Sequence, residues 1–235
     1  MTGPLRDSFG TAKFRHEAIA CVIRVDLATR SPLVLVRRRT RTPFAGQLTL
    51  PSGPVEIDET IGESVLRHIP YIAPGYSEQL ETLSTVGRDP CDRTIATAYL
   101  VLVPWTAALD VPSELTWQPP TALTAMGFDH SSIVTTALQR LRGKLSYTNI
   151  AFGLAPATFT IAELRDAYTA VLGHPVAPTN LQRILTRRGE IAPTGSKSTP
   201  PHSGGRPAMM YRFTHRELTV TDPFAVLRPQ GQRSR

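Results

Sequence analysis

The sequence predicts an α/β chain, in the narrower sense α+β, with a strand-rich domain first and a smaller domain of helices and a hairpin after it. Three observations predict this. From Phe14 to Trp105 the runs "EAIACVIRVD", "PLVLVRRR", "QLTLPSG" and "TIATAYLVLVPW" are apolar and β-branched and are bounded by Gly, Pro and Asp, as strands are. Beyond Tyr147 the apolar spacing changes to the helical period and then to a short hairpin pattern. The charge divides at the same place: residues 1–139 hold 12 Lys/Arg against 14 Asp/Glu, a net of −2, whereas residues 140–235 hold 14 against 5, a net of +9. That asymmetry is the mark of a polyanion-binding module joined to a near-neutral one, and its bland alternative is a solvated basic surface.

One helix interrupts the strands. Thr60 and Glu63 form an [ST]xxE capping box, in which each side chain satisfies a free backbone N–H of the first turn. The stretch 106–128, with its prolines, is expected to be irregular. In "DHSSIVTTALQRLRGKL" the residues Ile133, Ala137, Leu141 and Leu145 share one stripe, with Asp129 as a candidate cap, so a helix over 130–146 is expected to bridge the domains. "TIAELRDAYTAVLG" repeats the capping box at Thr160 and Glu163 and stops at Gly173. After a turn with two prolines, "TNLQRILTRRGE" buries Leu181, Ile184 and Leu185 and presents Asn180, Arg183 and Arg187 on another face. "IAPTG" and "AMMYRF" are expected to be strands around the loop "SKSTPPHSGGRP". The domains so drawn are 12–147, including the bridging helix, and 148–222, followed by a flexible tail over 223–235.

Composition excludes several classes. The longest apolar stretches fall short of the roughly 18 residues a membrane span needs, and "MTGPLRDSFG" has no apolar signal region, so a soluble, cytoplasmic protein without a membrane partner is expected. Cys21 and Cys91 have neither CxxC nor His spacing, which points to two free thiols and away from zinc.

The stretch "GPVEIDETIGESVLRHIPYIAPG" carries the remaining chemistry. It is similar to the Nudix hydrolase box, in which a glycine, five residues, a glutamate, seven residues and then REUxEExGU place carboxylates one helical turn apart to hold magnesium. Gly53, Glu59 and Arg67 stand at the right spacing, after "LPSG". The three carboxylate positions are His68, Tyr71 and Ile72, and imidazole, phenol and alkyl groups do not satisfy a hard cation that wants oxygen. Pro70 lacks an N–H and pushes Ile69 out of helical angles, so the helix is predicted to end before that turn. The expectation is a chain with no catalytic residue, no metal and no required cofactor. Glu59 and Arg67 either touch a ligand or only orient loop and helix. Around the box lie Arg37, Arg38, Arg39, Arg41, Arg88 and Arg93, suited to forked contact with phosphate, although neighbours 37, 38 and 39 cannot all face one way.

With its tail included, the sequence resembles the NrtR family, the Nudix-related transcriptional regulators of NAD metabolism. The likeness rests on "LTLPSGPVEIDETIGESVLRH", "YSEQLETLSTVGRDPCDRTIATAYLVLV", "FDHSSIVTTALQRLRGKLSYTNIAFGLAP", "FTIAELRDAYTAVLG" and "GRPAMMYRF" in that order. It implies a Nudix-like domain that senses ADP-ribose or a related NAD metabolite, a C-terminal winged helix-turn-helix, and a homodimer that represses NAD biosynthesis or salvage genes on double-stranded operator DNA. The effector set it implies is Arg39, Gly53, Glu59, Arg67, Arg88 and Arg93. "TNLQRILTRRGE" then takes the recognition-helix position. Asn180, Gln182 and Arg183 are placed to reach base edges, Thr179, Arg187 and Arg188 to hold phosphates, and Lys197 and Arg206 to sit on the wing. Two other readings stay open: a nucleoside-diphosphate or ADP-ribose hydrolase with a nucleic-acid-binding appendage, and a DNA-binding protein whose first domain only dimerises.

Overall fold

The computed structural model describes residues 6–107, 111–198 and 207–222. Arg206, part of the "SKSTPPHSGGRP" loop and the tail 223–235 lie outside the described residues. Within them the chain forms two compact units, one from stretches within Met1–Arg24, Pro32–Val103 and Ala107–Leu138, the other from Val25–Ser31, Pro104–Thr106 and Gln139–Arg235.

The first unit is built on a mixed sheet. Its strands are β1 (Arg15–Asp26), β2 (Ser31–Arg38), β3 (Leu48–Thr49), β4 (Ser52–Pro54), β5 (Tyr76–Leu83), β6 (Thr94–Leu102) and β7 (Leu115–Gln118), in the order β3-β2-β1-β6-β5, with β4 on β1 and β7 on β2. β1 runs parallel to β6, from Arg15 opposite Thr94 to Ile23 opposite Leu102. Every residue from Ala18 to Ile23 is fully buried, as a central strand covered on both faces must be. On one face, Ala18, Ala20 and Val22 pack with Leu35, Val101 and Val103 against Val65, Ile69 and Ile72.

Those last three residues come from helix α1 (Ile61–Arg67) and the turn after it. Thr60 accepts from the Glu63 backbone N–H at 3.2 Å, while the Glu63 carboxylate accepts from the Thr60 N–H at 2.8 Å, the reciprocal box read in the sequence. The helix lasts 7 residues and His68 is its C-cap, so it stops short of Pro70. Two strands were not expected. β5 alternates half-buried and exposed residues without an apolar run, and β7 lies in the stretch read as irregular. The prolines at 112, 119 and 120 bracket β7 rather than interrupt it, and Leu115 to Gln118 pair with Arg37 to Val34.

Helix α2 (His130–Leu145) contributes residues to both units, since the division falls between Leu138 and Gln139. The second unit continues with β8 (Phe159–Thr160), α3 (Ile161–Leu172), α4 (Pro178–Arg187), β9 (Ile191–Lys197) and β10 (Met209–Phe213), the strands ordered β8-β10-β9. α3 starts at the Thr160–Glu163 box and ends at Gly173, whose φ of +76° is the left-handed cap that glycine adopts without strain. Pro178, expected in the turn, is the first residue of α4, where its missing N–H has no partner to lose. Phe159 packs between Trp105 and Phe213, with ring centroids 6.1 and 5.2 Å away. Buried Asn149 closes the unit by donating to the carbonyls of Glu217 and His215 and accepting from the Thr219 N–H.

Both cysteines are free thiols; Cys21 is buried in β1 and Cys91 is exposed. Burial pushes the Cys21 thiol up to about 12, which suppresses its thiolate. Iodoacetamide at pH 8 is expected to alkylate Cys91 in the folded protein and to reach Cys21 only in denaturant, read by intact-mass and peptide mass spectrometry.

Candidate functional site

The box residues form a tied loop. Arg67 meets the Glu59 carboxylate as a fork, Nε to Oε2 at 2.8 Å and Nη2 to Oε1 at 2.7 Å, and Nη2 also donates to the Pro54 carbonyl at 2.8 Å. Glu59 Oε1 further accepts from the Glu56 N–H at 2.8 Å. The hydrogen bond from Arg67 holds the Glu59 carboxyl down to about 2, so it stays ionised at any working pH. Gly53 is buried in β4, and a side chain there would overlap the imidazole of His68 as it stands. His68 lies over that glycine with Nε2 3.4 Å from the Pro54 oxygen, and burial lowers its pKa. Tyr71, whose phenol burial raises, packs against the same core that holds Ile72 at 6% exposure. At neutral pH these positions therefore supply no anionic oxygen, and two of them belong to the hydrophobic core.

The arginines separate into roles. Alternation along β2 puts Arg37 half-buried with Nη2 3.3 Å from the Ser52 carbonyl, while Arg38 is exposed and donates to Gly46 O at 2.6 Å. Arg39 donates from Nε to Pro43 O at 2.6 Å, and its guanidinium lies 4.9 Å from the centre of the Phe128 ring. Arg88 is almost wholly buried and forks onto Asp129, with Nε to Oδ2 at 2.9 Å and Nη2 to Oδ1 at 2.6 Å. Arg93 lies over the Phe14 ring at 5.2 Å, and its buried Nη1 has no partner among the described residues.

Arg39 and Arg88 thus meet through neighbouring residues, Phe128 and Asp129, and His130 follows them. His130 Nδ1 accepts the Leu50 N–H at 2.9 Å, which places the ring proton on Nε2. Complete burial lowers its pKa to about 3, and after the opposing Asp129 charge, Arg88, Arg39 and Arg37 act on it in the same direction. Arg37 also acts on His68 and Tyr71, so it joins this cluster to the emptied box. Sequence reasoning left Arg37, Phe44, Phe128 and His130 out of the set. Phe44 and Phe128, edge to face at 4.8 Å, both have positive φ, at +65° and +57°. The readable signal was the period-2 alternation that aligns Arg37 with Arg39; nothing local announced the aromatic pair.

In the second unit α4 exposes Thr179, Asn180, Arg183 and Arg187. Arg183 Nη2 donates to Asn180 Oδ1 at 2.7 Å, and Gln182 Nε2 donates to the Tyr211 hydroxyl at 2.7 Å. Arg188 turns inward, with Nη2 2.7 Å from Asp222 Oδ2 and Nη1 3.7 Å from Glu190 Oε1. Lys197 is exposed at the end of β9.

A Nudix-type loop and helix on a mixed sheet, followed by a helix pair and a three-stranded wing sheet, define a Nudix-like protein with a winged helix-turn-helix. Residues 151–213 match the model of the NrtR DNA-binding winged helix domain. Over 200 residues the chain is 25% identical to the ADPR responsive transcriptional repressor NtrR of Acinetobacter baylyi, covering 81% of this chain and 79% of that one. The structure of Shewanella oneidensis NrtR complexed with a 27mer DNA is similar at a TM-score of 0.74 and 27% identity, over 84% of this chain and 93% of that one. The NUDIX domain of the same Shewanella protein complexed with ADP ribose is similar at a TM-score of 0.51 and 25% identity, over 57% of this chain and 93% of that one. The family resemblance and the fold class read from the sequence are both borne out.

The buried imidazole makes a pH dependence. Its folded pKa lies near 3 and its unfolded value near 6.5, so the unfolded chain takes up the proton first as pH falls. The stabilisation is full above about pH 6.5 and is lost toward pH 3, at up to about 1.4 kcal/mol per pH unit. Urea unfolding between pH 7.5 and 5 is expected to show a steeper loss for the wild type than for His130→Asn; parallel curves would refute this role.

Proposed function

We propose that the chain is a homodimeric, cytoplasmic transcriptional repressor of NAD biosynthesis or salvage genes that releases its operator on binding ADP-ribose or a related NAD metabolite. The sensing domain is 12–147 and the reading domain 148–222. One observation carries the proposal: in a chain with a winged helix of the NrtR type, the box positions that would hold metal are an imidazole over Gly53, a half-buried phenol and a core isoleucine. Among the described residues no cluster of His, Cys, Asp and Glu has the form of a metal site. Such a domain can bind a diphosphate without cleaving it, so the ligand persists as a signal.

Each site residue has a part in this reading. Arg39, on the face of Phe128, and Arg93, with its unpartnered buried Nη1, offer guanidinium groups to phosphate oxygens. Arg37, at the end of β2, adds its charge beside His68, Tyr71 and His130. Arg67 and Glu59 shape the loop by their fork, Gly53 lets His68 close over it, and Arg88 holds the 128–130 segment through Asp129. On α4, Thr179, Asn180, Arg183 and Arg187 face solvent and face the duplex in the complex, and Lys197 extends the contact to the wing; Arg206 lies outside the described residues. Among the described residues no helix is long and apolar enough to cross a membrane.

Two measurements on the purified chain test the sensor. ADP-ribose incubated with magnesium or manganese is expected to stay intact by chromatography, and calorimetry is expected to show that Arg39→Ala weakens ADP-ribose binding by about 1.5 to 3 kcal/mol. Multiple turnovers abolished by Glu59→Gln would replace the repressor by a hydrolase. Absence of ADP-ribose binding by the wild type would leave the first domain as a dimerisation scaffold.

A further inference from the structure

Three side chains of α4 compete as base readers, and the structure sorts them. Gln182 is spent inside the domain, since its amide nitrogen donates to the Tyr211 hydroxyl of β10 at 2.7 Å. The half-buried bond to Tyr211 directs that amide onto the wing sheet, whereas a two-point pair with adenine needs its oxygen and nitrogen presented together to the base edge. Asn180 and Arg183 remain, both exposed and one helical turn apart. They are not independent, because Arg183 Nη2 donates to Asn180 Oδ1 at 2.7 Å.

We propose that Asn180 is a positioning residue whose side-chain oxygen fixes the guanidinium plane of Arg183, that Arg183 alone of the three reads a base, a guanine, and that Gln182 reads none. The inference rests on the reading of α4 as the recognition helix. Its physical content is pre-organisation. A free arginine loses rotamer freedom when it is held in one geometry. A second contact on its own helix removes part of that loss before DNA arrives. The guanidinium has five N–H groups, and with one committed to Asn180 a parallel pair is still free to meet guanine O6 and N7. Asn180, with one lone pair of its oxygen given to Arg183, has its amide plane set by that bond and serves the guanidinium in place of an adenine. Gln182 acts at one remove, bracing helix against wing through Tyr211, and so influences affinity for all sequences alike.

The experiment begins with the full-length chain and a pool of randomised duplexes, from which the bound fraction is enriched and sequenced. Each position of the enriched half-site is then varied, and binding is read by fluorescence anisotropy at fixed salt. Arg183→Ala is expected to abolish discrimination, about tenfold or more, at one G·C pair. Asn180→Ala is expected to weaken discrimination at that same pair, and the double variant to behave as Arg183→Ala alone. Gln182→Ala is expected to lower affinity evenly and leave the preference at every position as in the wild type. The proposal is overturned if Asn180→Ala relaxes a different base pair or none, or if Gln182→Ala relaxes any position. Failure of the wild type to enrich any duplex would instead remove the DNA-binding reading itself. Asn180 and Arg183 are exposed and Gln182 is half-buried, and circular dichroism of each variant checks that the fold is intact.

Discussion

The structure hangs on the burial of β1. From Ala18 to Ile23 nothing is exposed, so this strand accepts only small or apolar side chains, and its alternation decides what can lie on each face. Ala18 and Ala20 are small enough to let α1 approach the sheet closely, and Val65, Ile69 and Ile72 fill the space above them. This constraint converts the box from chemistry to packing. Once Pro70 ends the helix, the chain after Arg67 turns inward, and the side chains that would hold a metal in a hydrolase become an apolar plug, a half-buried phenol and an imidazole over Gly53.

What remains of the site is a set of cations with assigned partners. Arg67 and Arg88 are each forked onto a carboxylate, and the burial of Arg88 makes its pair with Asp129 one whose breakage would leave a charge stranded. Arg37, Arg39 and Arg93 are fastened mainly to carbonyls or ring faces and pair with no carboxylate among the described residues, so their charge is available to an anion. Neutral His130, held by the Leu50 N–H, adds no charge to them. The second unit uses its excess charge differently: Arg183 and Arg187 remain at the surface, while Arg188 is paired with Asp222.

Much of the fold was legible because local rules governed it. Both capping boxes, the stop at Gly173 and the truncation before Pro70 are settled by residues within one helical turn of each other. β5 and β7 escaped because their side chains carry no strong apolar pattern, and only pairing with β6 and β2 reveals them as strands. The site divides the same way. Glu59 and Arg67, 8 positions apart, were recognisable from spacing, whereas Arg88 finds Asp129 at a separation of 41 and Gln182 finds Tyr211 at 29. Contacts at such distances follow from the assembled sheet and wing and have no local signature, so engaged arginines and amides looked the same in the sequence as free ones.

In the proposed function, ADP-ribose and operator DNA compete through the conformation of one chain. A ligand shifts DNA affinity only if it favours one arrangement over the other, and linkage makes the effect mutual. The most direct measurement is calorimetric titration of ADP-ribose into the full chain, first alone and then saturated with operator duplex. The account expects operator to weaken ADP-ribose binding by the factor by which ADP-ribose weakens operator binding, about 5- to 150-fold for a coupling of about 1 to 3 kcal/mol. Equal ADP-ribose affinity in the two titrations would contradict it.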